Sequence, residues 1–124
     1  MTLKTLLGNM LRGKPLDNLK TVSVDEFSTL KDANDCLVID VRSEAEFSER
    51  HVLGARLFPL DRLDEAEILA LDPAGEAPIY VLCKAGGRAK KAAERLAPVT
   101  DRMICVVAGG TDACIEAGMP ANIG

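Results

Sequence analysis

The segment Ile79-Tyr80-Val81-Leu82-Cys83-Lys84-Ala85-Gly86-Gly87-Arg88 decides the fold. Its first five residues are apolar and rich in β-branched and aromatic types, too few for a helix and bounded by Pro78 and by glycines, which is the pattern of a buried strand. A loop of small residues follows, and from about Arg88 to Leu96 the apolar positions recur at helical spacing. Outward from this strand, loop and helix, Cys36 to Val41 and Met103 to Val107 are two further apolar runs of strand length. A last helix is predicted from about Thr111 to Ala117, closed by Gly118 and Pro120. Thr21 and Val22 read as a short edge strand, and Ser23 with Glu26 as a capping box opening a helix through Leu30. Ser43 and Glu46 form a second such box, opening a short acidic helix that ends near Arg50. Ala55 to Phe58 is expected to be a short strand. Leu60 to Leu71 reads as one amphipathic helix with Leu60, Leu63, Ile68 and Leu71 inward, and Pro73, Gly75 and Pro78 mark a loop.

Strands alternating with helices through short turns specify an α/β fold with a central parallel sheet of about five strands and helices on both faces. Ligands in such folds bind beyond the carboxyl ends of the strands, so chemistry is expected after Asp40, Cys83 and Val107. Residues 20–124 read as one domain. Leu3, Leu6, Leu7, Met10 and Leu11 recur at helical spacing, so residues 1–19 read as an amphipathic helix and linker. That helix is expected to pack on this domain or on a symmetry partner, with a membrane-surface or protein-docking role as the alternative.

Composition narrows the function classes. The chain has 124 residues, 48% of them hydrophobic and 27% charged, the proportions of a folded water-soluble domain. No apolar run approaches the roughly 20 residues that cross a bilayer. A net charge of −4 and one Tyr, three Phe and no Trp argue against nucleic acid as a partner. Cys36, Cys83, Cys105 and Cys114 contain no Cys-x-x-Cys pair, and His51 is distant from all of them, so neither a disulfide framework nor a metal site is expected. Free thiols and the absence of a secretory pattern imply the cytoplasm.

Among the cysteines Cys83 stands apart, at the junction of a buried strand with a glycine loop and a helix start. Gly86 and Gly87 are expected to take positive φ angles and turn backbone N–H groups inward as a nest, to which the helix adds its own free N–H groups and dipole. A thiol there should ionise more easily than a free one, helped by Lys84 and Arg88. The stretch from Lys84 to Arg95 carries a local net charge of +4, against −6 between Asp40 and Glu76, an asymmetry that suits an anionic substrate.

Three stretches resemble the signatures of rhodanese-like domains: Asp40-Val41-Arg42-Ser43-Glu44-Ala45-Glu46-Phe47 with His51-Val52-Leu53-Gly54-Ala55, then Cys83-Lys84-Ala85-Gly86-Gly87-Arg88, then Gly109-Gly110 with Ala117-Gly118-Met119-Pro120. They fall in the family's order and spacing over about residues 20 to 121. The resemblance implies the rhodanese-like fold and a single-domain sulfurtransferase without metal or organic cofactor. In that reading Cys83 takes the outer sulfur of thiosulfate or a persulfide, and Lys84, Ala85, Gly86, Gly87 and Arg88 form the loop that cradles the resulting persulfide. A thiol or cyanide then accepts the sulfur in a second displacement, which predicts ping-pong kinetics. The alternative is a sulfur carrier or regulatory module that does not turn over small donors. Cys83 through Arg88 is a six-residue loop, which in the family goes with sulfur transfer. Related dual-specificity phosphatases and arsenate reductases carry one residue more, so those activities rank lower.

Other residues are read as support. Asp40 and Arg42 end the neighbouring strand and are expected to tie the site's loops together through hydrogen bonds. Glu46 reads chiefly as a helix cap, and His51 as a structural histidine rather than a base. Cys36 and Cys105 read as packing residues. The closing helix lacks the tryptophan the family usually carries near Cys114, and a resolving-thiol role for Cys114 is a weak alternative to packing.

Overall fold

The computed structural model describes residues 17–33, 36–71, 77–84 and 87–124. The N-terminal helix predicted within residues 1–19 and the loop positions Ala85 and Gly86 lie outside the described residues, apart from residues 17–19.

Five parallel strands form the central sheet: β1 (Leu19–Val22), β2 (Leu37–Asp40), β4 (Arg56–Leu57), β5 (Ile79–Leu82) and β6 (Ile104–Val107). Their order is β1-β6-β5-β2-β4, which puts β5 in the middle. Val81 lies in register with Ile39 on one side and Val106 on the other. Every residue of β2, β5 and β6 is buried, as expected of a parallel sheet covered on both faces. The helices are α1 (Val24–Ala33), α2 (Glu44–Glu49), α3 (Glu65–Ala70), α4 (Gly87–Leu96) and α5 (Gly110–Glu116).

Because strand side chains alternate, β5 feeds two separate cores. Ile79, Val81 and Cys83 join Ile39, Val41, Ile68 and the buried face of α4. Tyr80 and Leu82 join Phe27, Val107, Cys105 and Cys114 on the other side, where the Phe27 and Tyr80 rings meet with centroids 4.9 Å apart. Alanines at 89, 92 and 93 on the buried face of α4 let the helix lie close to the sheet. Leu96 at its end is fully buried, a side chain whose transfer from water contributes about 2 kcal/mol. Cys83 and Cys114 thus occupy opposite faces of the sheet.

Two features depart from the sequence pattern. Leu60 to Leu71 is not one helix: a 3-10 turn at Leu60–Arg62 is followed by α3, because the Asp64 side chain accepts the Glu67 N–H and starts a new helix. The phase shift leaves Leu71 39% exposed. A second, antiparallel sheet joins β3 (Arg50–Val52) to β7 (Ala121–Ile123), neither of which stands out in the sequence. It follows α2 directly and ties the end of the chain back to the region after β2.

Candidate functional site

The carboxyl ends of β2, β5 and β6 converge on one rim. Cys83 follows β5 at once, 1% exposed, and Lys84 is the exposed residue after it. The loop then enters α4, whose first two residues are Gly87 and Arg88. Gly87 does not use a positive φ; it has ordinary helical geometry as the first residue of α4, and a Cβ there would meet nothing within 4 Å.

Positive φ is needed instead on the neighbouring loop, at Gly109 (+83°) and Gly110 (+65°). These residues swing the start of α5 onto the backbone of Cys83. The Thr111 N–H donates to the Cys83 carbonyl at 2.9 Å, and a Cβ on Gly110 would collide with that same carbonyl oxygen. The closing Gly-Gly therefore permits a close approach that any side chain forbids. This approach fixes the backbone from which the thiol projects.

Asp40 and Arg42 form a buried pair at the end of β2, 0% and 4% exposed. The Arg42 fork donates to the Asp40 carboxylate at 2.8 to 3.1 Å, and its Nη2 also donates to the Arg50 carbonyl at 2.7 Å. Asp40 accepts the Arg42 N–H at 3.0 Å and the Thr111 hydroxyl at 3.2 Å. Both carboxylate oxygens accept at least two hydrogen bonds, which is what makes a buried charge tolerable. The pair connects β2, β3 and α5, and through Thr111 it reaches the Cys83 carbonyl.

Glu46 does more than the sequence suggests. It completes the capping box, accepting the Ser43 N–H at 3.0 Å while Ser43 Oγ accepts the Glu46 N–H at 3.2 Å. The same carboxylate also takes both ends of the Arg88 guanidinium, at 2.7 and 3.0 Å. The Arg88 hydrogen bond, against the opposing effect of burial, lowers the Glu46 pKa to about 2, and Glu46 in turn raises that of Arg88. Arg95 of α4 likewise pairs with Glu65 at 2.6 Å. The opposite charges of the acidic stretch and the basic helix, read in sequence as a sign of anion binding, therefore meet and partly cancel within the molecule. No short-range motif signals the Glu46–Arg88 contact, since the capping box already accounts for Glu46 at that position.

Two clefts flank this bridge. One, of about 340 Å³, is lined by Val41, Arg42, Ser43, Pro59, Leu60, Asp61 and Arg88. The other, of about 250 Å³, is lined by Arg42, Glu46, Glu49, Arg50, Lys84 and Asp112. Within the second, Arg50 and Asp112 pair at 2.8 Å.

His51 packs against Phe47 of α2 and Asn122 of β7. Its ring stacks on Phe47 at 3.7 Å, Nδ1 lies 2.8 Å from the Phe47 carbonyl, and Asn122 Nδ2 approaches Nε2 at 3.1 Å. All four cysteines are free thiols. Burial pushes Cys105 and Cys114 each up to about 11, which suits packing. Among the described residues no group of three or more His, Cys, Asp or Glu could hold a metal ion, and no helix is long and apolar enough to cross a membrane.

The model of the rhodanese-like domain matches residues 23–117, which begin just after β1 and include every site residue above. The chain belongs to the rhodanese-like domain family. Solved rhodanese-like structures share its fold. A rhodanese from E. coli solved with anions is 28% identical over 73% of this chain and 100% of that one, with a TM-score of 0.59. A rhodanese-related protein from Thermoplasma volcanium is 21% identical over 85% and 99%, with a TM-score of 0.66. A thiosulfate sulfurtransferase from Pseudomonas aeruginosa is 21% identical over 89% of this chain but only 20% of its own length, with a TM-score of 0.73. No curated protein matches the chain in sequence.

Proposed function

We propose that this rhodanese-like domain is a sulfurtransferase that carries sulfane sulfur on Cys83. The observation that carries the reading is the position of Cys83, directly after the central strand β5, with its carbonyl held by Thr111 and Arg88 five residues on at the start of α4. A thiol placed there has a fixed backbone behind it and a helix N-terminus ahead of it.

The reaction consists of two displacements at sulfur. The Cys83 thiolate attacks the outer sulfur of a donor such as thiosulfate or a persulfide. The Sγ–S bond forms, the donor's S–S bond breaks, and the leaving group departs as sulfite or a thiolate with the electron pair. An acceptor, a thiolate or cyanide, then attacks the outer sulfur of the Cys83 persulfide, and the cysteine leaves as a thiolate. No external oxidant or reductant enters. The first amides of α4, free of helical acceptors, face the developing negative charge at the loop, and Lys84 adds a cation. Lys84, Ala85, Gly86, Gly87 and Arg88 make up the loop in this reading; Asp40 and Arg42 hold its surroundings in place.

Six residues run from Cys83 to Arg88, the loop length that in the rhodanese-like family goes with sulfur transfer, whereas the related phosphatases and arsenate reductases carry one residue more; this supports sulfur transfer over phosphate or arsenate chemistry. Free thiols at all four cysteines support a reducing, cytoplasmic setting. Steady-state kinetics test the mechanism. With thiosulfate varied at several fixed cyanide concentrations, parallel double-reciprocal lines are expected, and intersecting lines would refute a persulfide enzyme intermediate.

A further inference from the structure

The rim around Cys83 is rich in arginine yet close to neutral. Arg42 is paired with Asp40, Arg50 with Asp112 and Arg88 with Glu46. Lys84 is the one cation lining the polar cleft that makes no ion pair among the described residues, and the cleft also holds Glu49, likewise without one. A site of this kind offers little net compensation to a doubly charged ligand. The cost of taking a charge out of water grows with the square of that charge, so a dianion needs far more cation than a monoanion does.

We propose that Glu46 is a specificity-determining residue that, by occupying the Arg88 fork, favours organic persulfides over dianionic sulfur donors such as thiosulfate. The inference rests on the sulfur-transfer reading above and refines its donor. Arg88 is geometrically suited to clamp an oxyanion, because a guanidinium fork matches two oxygens at once. Both of its terminal nitrogens are instead taken by Glu46 at 2.7 and 3.0 Å. The Ser43 N–H and hydroxyl also donate to Glu46 Oε1, each at 3.0 Å, so releasing Arg88 to a substrate means giving up a bridge already braced by the cap of α2. An organic persulfide brings at most one negative charge at its sulfur, which the α4 amides and Lys84 can meet without Arg88. Transfer proceeds as before: the Cys83 thiolate bonds to the outer sulfur, the donor S–S bond breaks, and an organic thiolate leaves.

The test measures the rate at which one sulfur is loaded onto Cys83, by quenched mass spectrometry, from thiosulfate and from the hydropersulfide of 2-mercaptoethanol. Glu46→Gln is expected to speed loading from thiosulfate relative to the persulfide by about 3- to 10-fold, the range that one partly exposed charge supplies. Glu46→Asp, which keeps the charge, should stay near the wild-type ratio. A purely structural role for Glu46 would slow both donors together in Glu46→Gln, and that result, or an unchanged ratio, overturns the inference. A second measurement needs no variant: inorganic sulfate, an unreactive dianion, should compete with loading of the wild-type protein only with a Kd weaker than about 1 mM, and tighter competition overturns the inference too. Absence of loading from either donor would instead refute the sulfur-transfer reading on which it rests.

Discussion

The Thr111 amide donates to the Cys83 carbonyl at 2.9 Å, so the start of α5, some 28 residues downstream in sequence, acts as a backbone support for the candidate nucleophile. Gly109 and Gly110 make that contact available through their positive φ angles. Gly110→Ala places a Cβ against the Cys83 carbonyl oxygen and forces a φ of +65° on a residue that resists it. A loss of more than about 2 kcal/mol in stability is expected, read by urea denaturation, with sulfur loading falling further than stability alone explains. An alanine variant as stable and active as wild type would show that the close approach is dispensable.

Thr111 also donates its hydroxyl to Asp40 at 3.2 Å. Thr111→Val preserves shape and the backbone bond to Cys83 but strips one donor from a fully buried carboxylate. The expected cost is about 1–3 kcal/mol, seen as a lower denaturation midpoint with an unchanged slope. No change in midpoint would mean that another donor takes the place of the hydroxyl.

The Asp40–Arg42 pair should behave as a unit. Asp40→Ala leaves the Arg42 guanidinium buried with only the Arg50 carbonyl to meet it, and about 3–5 kcal/mol of stability should be lost. Replacing both, Asp40→Ala with Arg42→Met, removes the stranded charge. The double variant is expected to be more stable than the single one, and a double-mutant cycle that sums additively would argue against the coupling.

Glu46 makes stability depend on acid. Its carboxyl is held at about 2 in the folded protein, below its ordinary value of 4.5, so the contribution is fully present above about pH 4.5 and is lost as pH falls towards 2. Arg88 is 37% exposed, and solvent screening limits the effect to on the order of 1 kcal/mol. Between pH 4.5 and 2 the wild-type protein should lose its stability advantage over Glu46→Gln; a constant difference across that window would show that the bridge is not the cause.

Much of this architecture can be read from local pattern. The runs around Leu37, Ile79 and Ile104 are apolar throughout apart from Asp40 at the end of β2, because each strand is covered on both faces, and the Ser43–Glu46 box is a contact within one turn. What escaped the sequence reading depends on residues far apart or on competing local signals. β3 and β7 pair Arg50, His51 and Val52 with Ile123, Asn122 and Ala121, strands of three residues with no alternation to betray them. The interruption at Asp64 was visible as an Asp followed three residues later by Glu67, but the apolar spacing across it is also that of one longer helix. At the site, the junction at Cys83 was legible, whereas the partners of Arg88 and of the Cys83 carbonyl lie 42 and 28 residues away. Charge summed along the chain could not show that Arg88 and Arg95 would meet the acidic stretch.

The central claim is that Cys83 carries the sulfur, and its most direct measurement is peptide mass spectrometry of the protein after exposure to thiosulfate and to an organic persulfide. One added sulfur atom is expected on the peptide containing Cys83, removed by cyanide and never formed in Cys83→Ser. Equal sulfur uptake by the wild-type protein and Cys83→Ser, or uptake on Cys36, Cys105 or Cys114 instead, would contradict it.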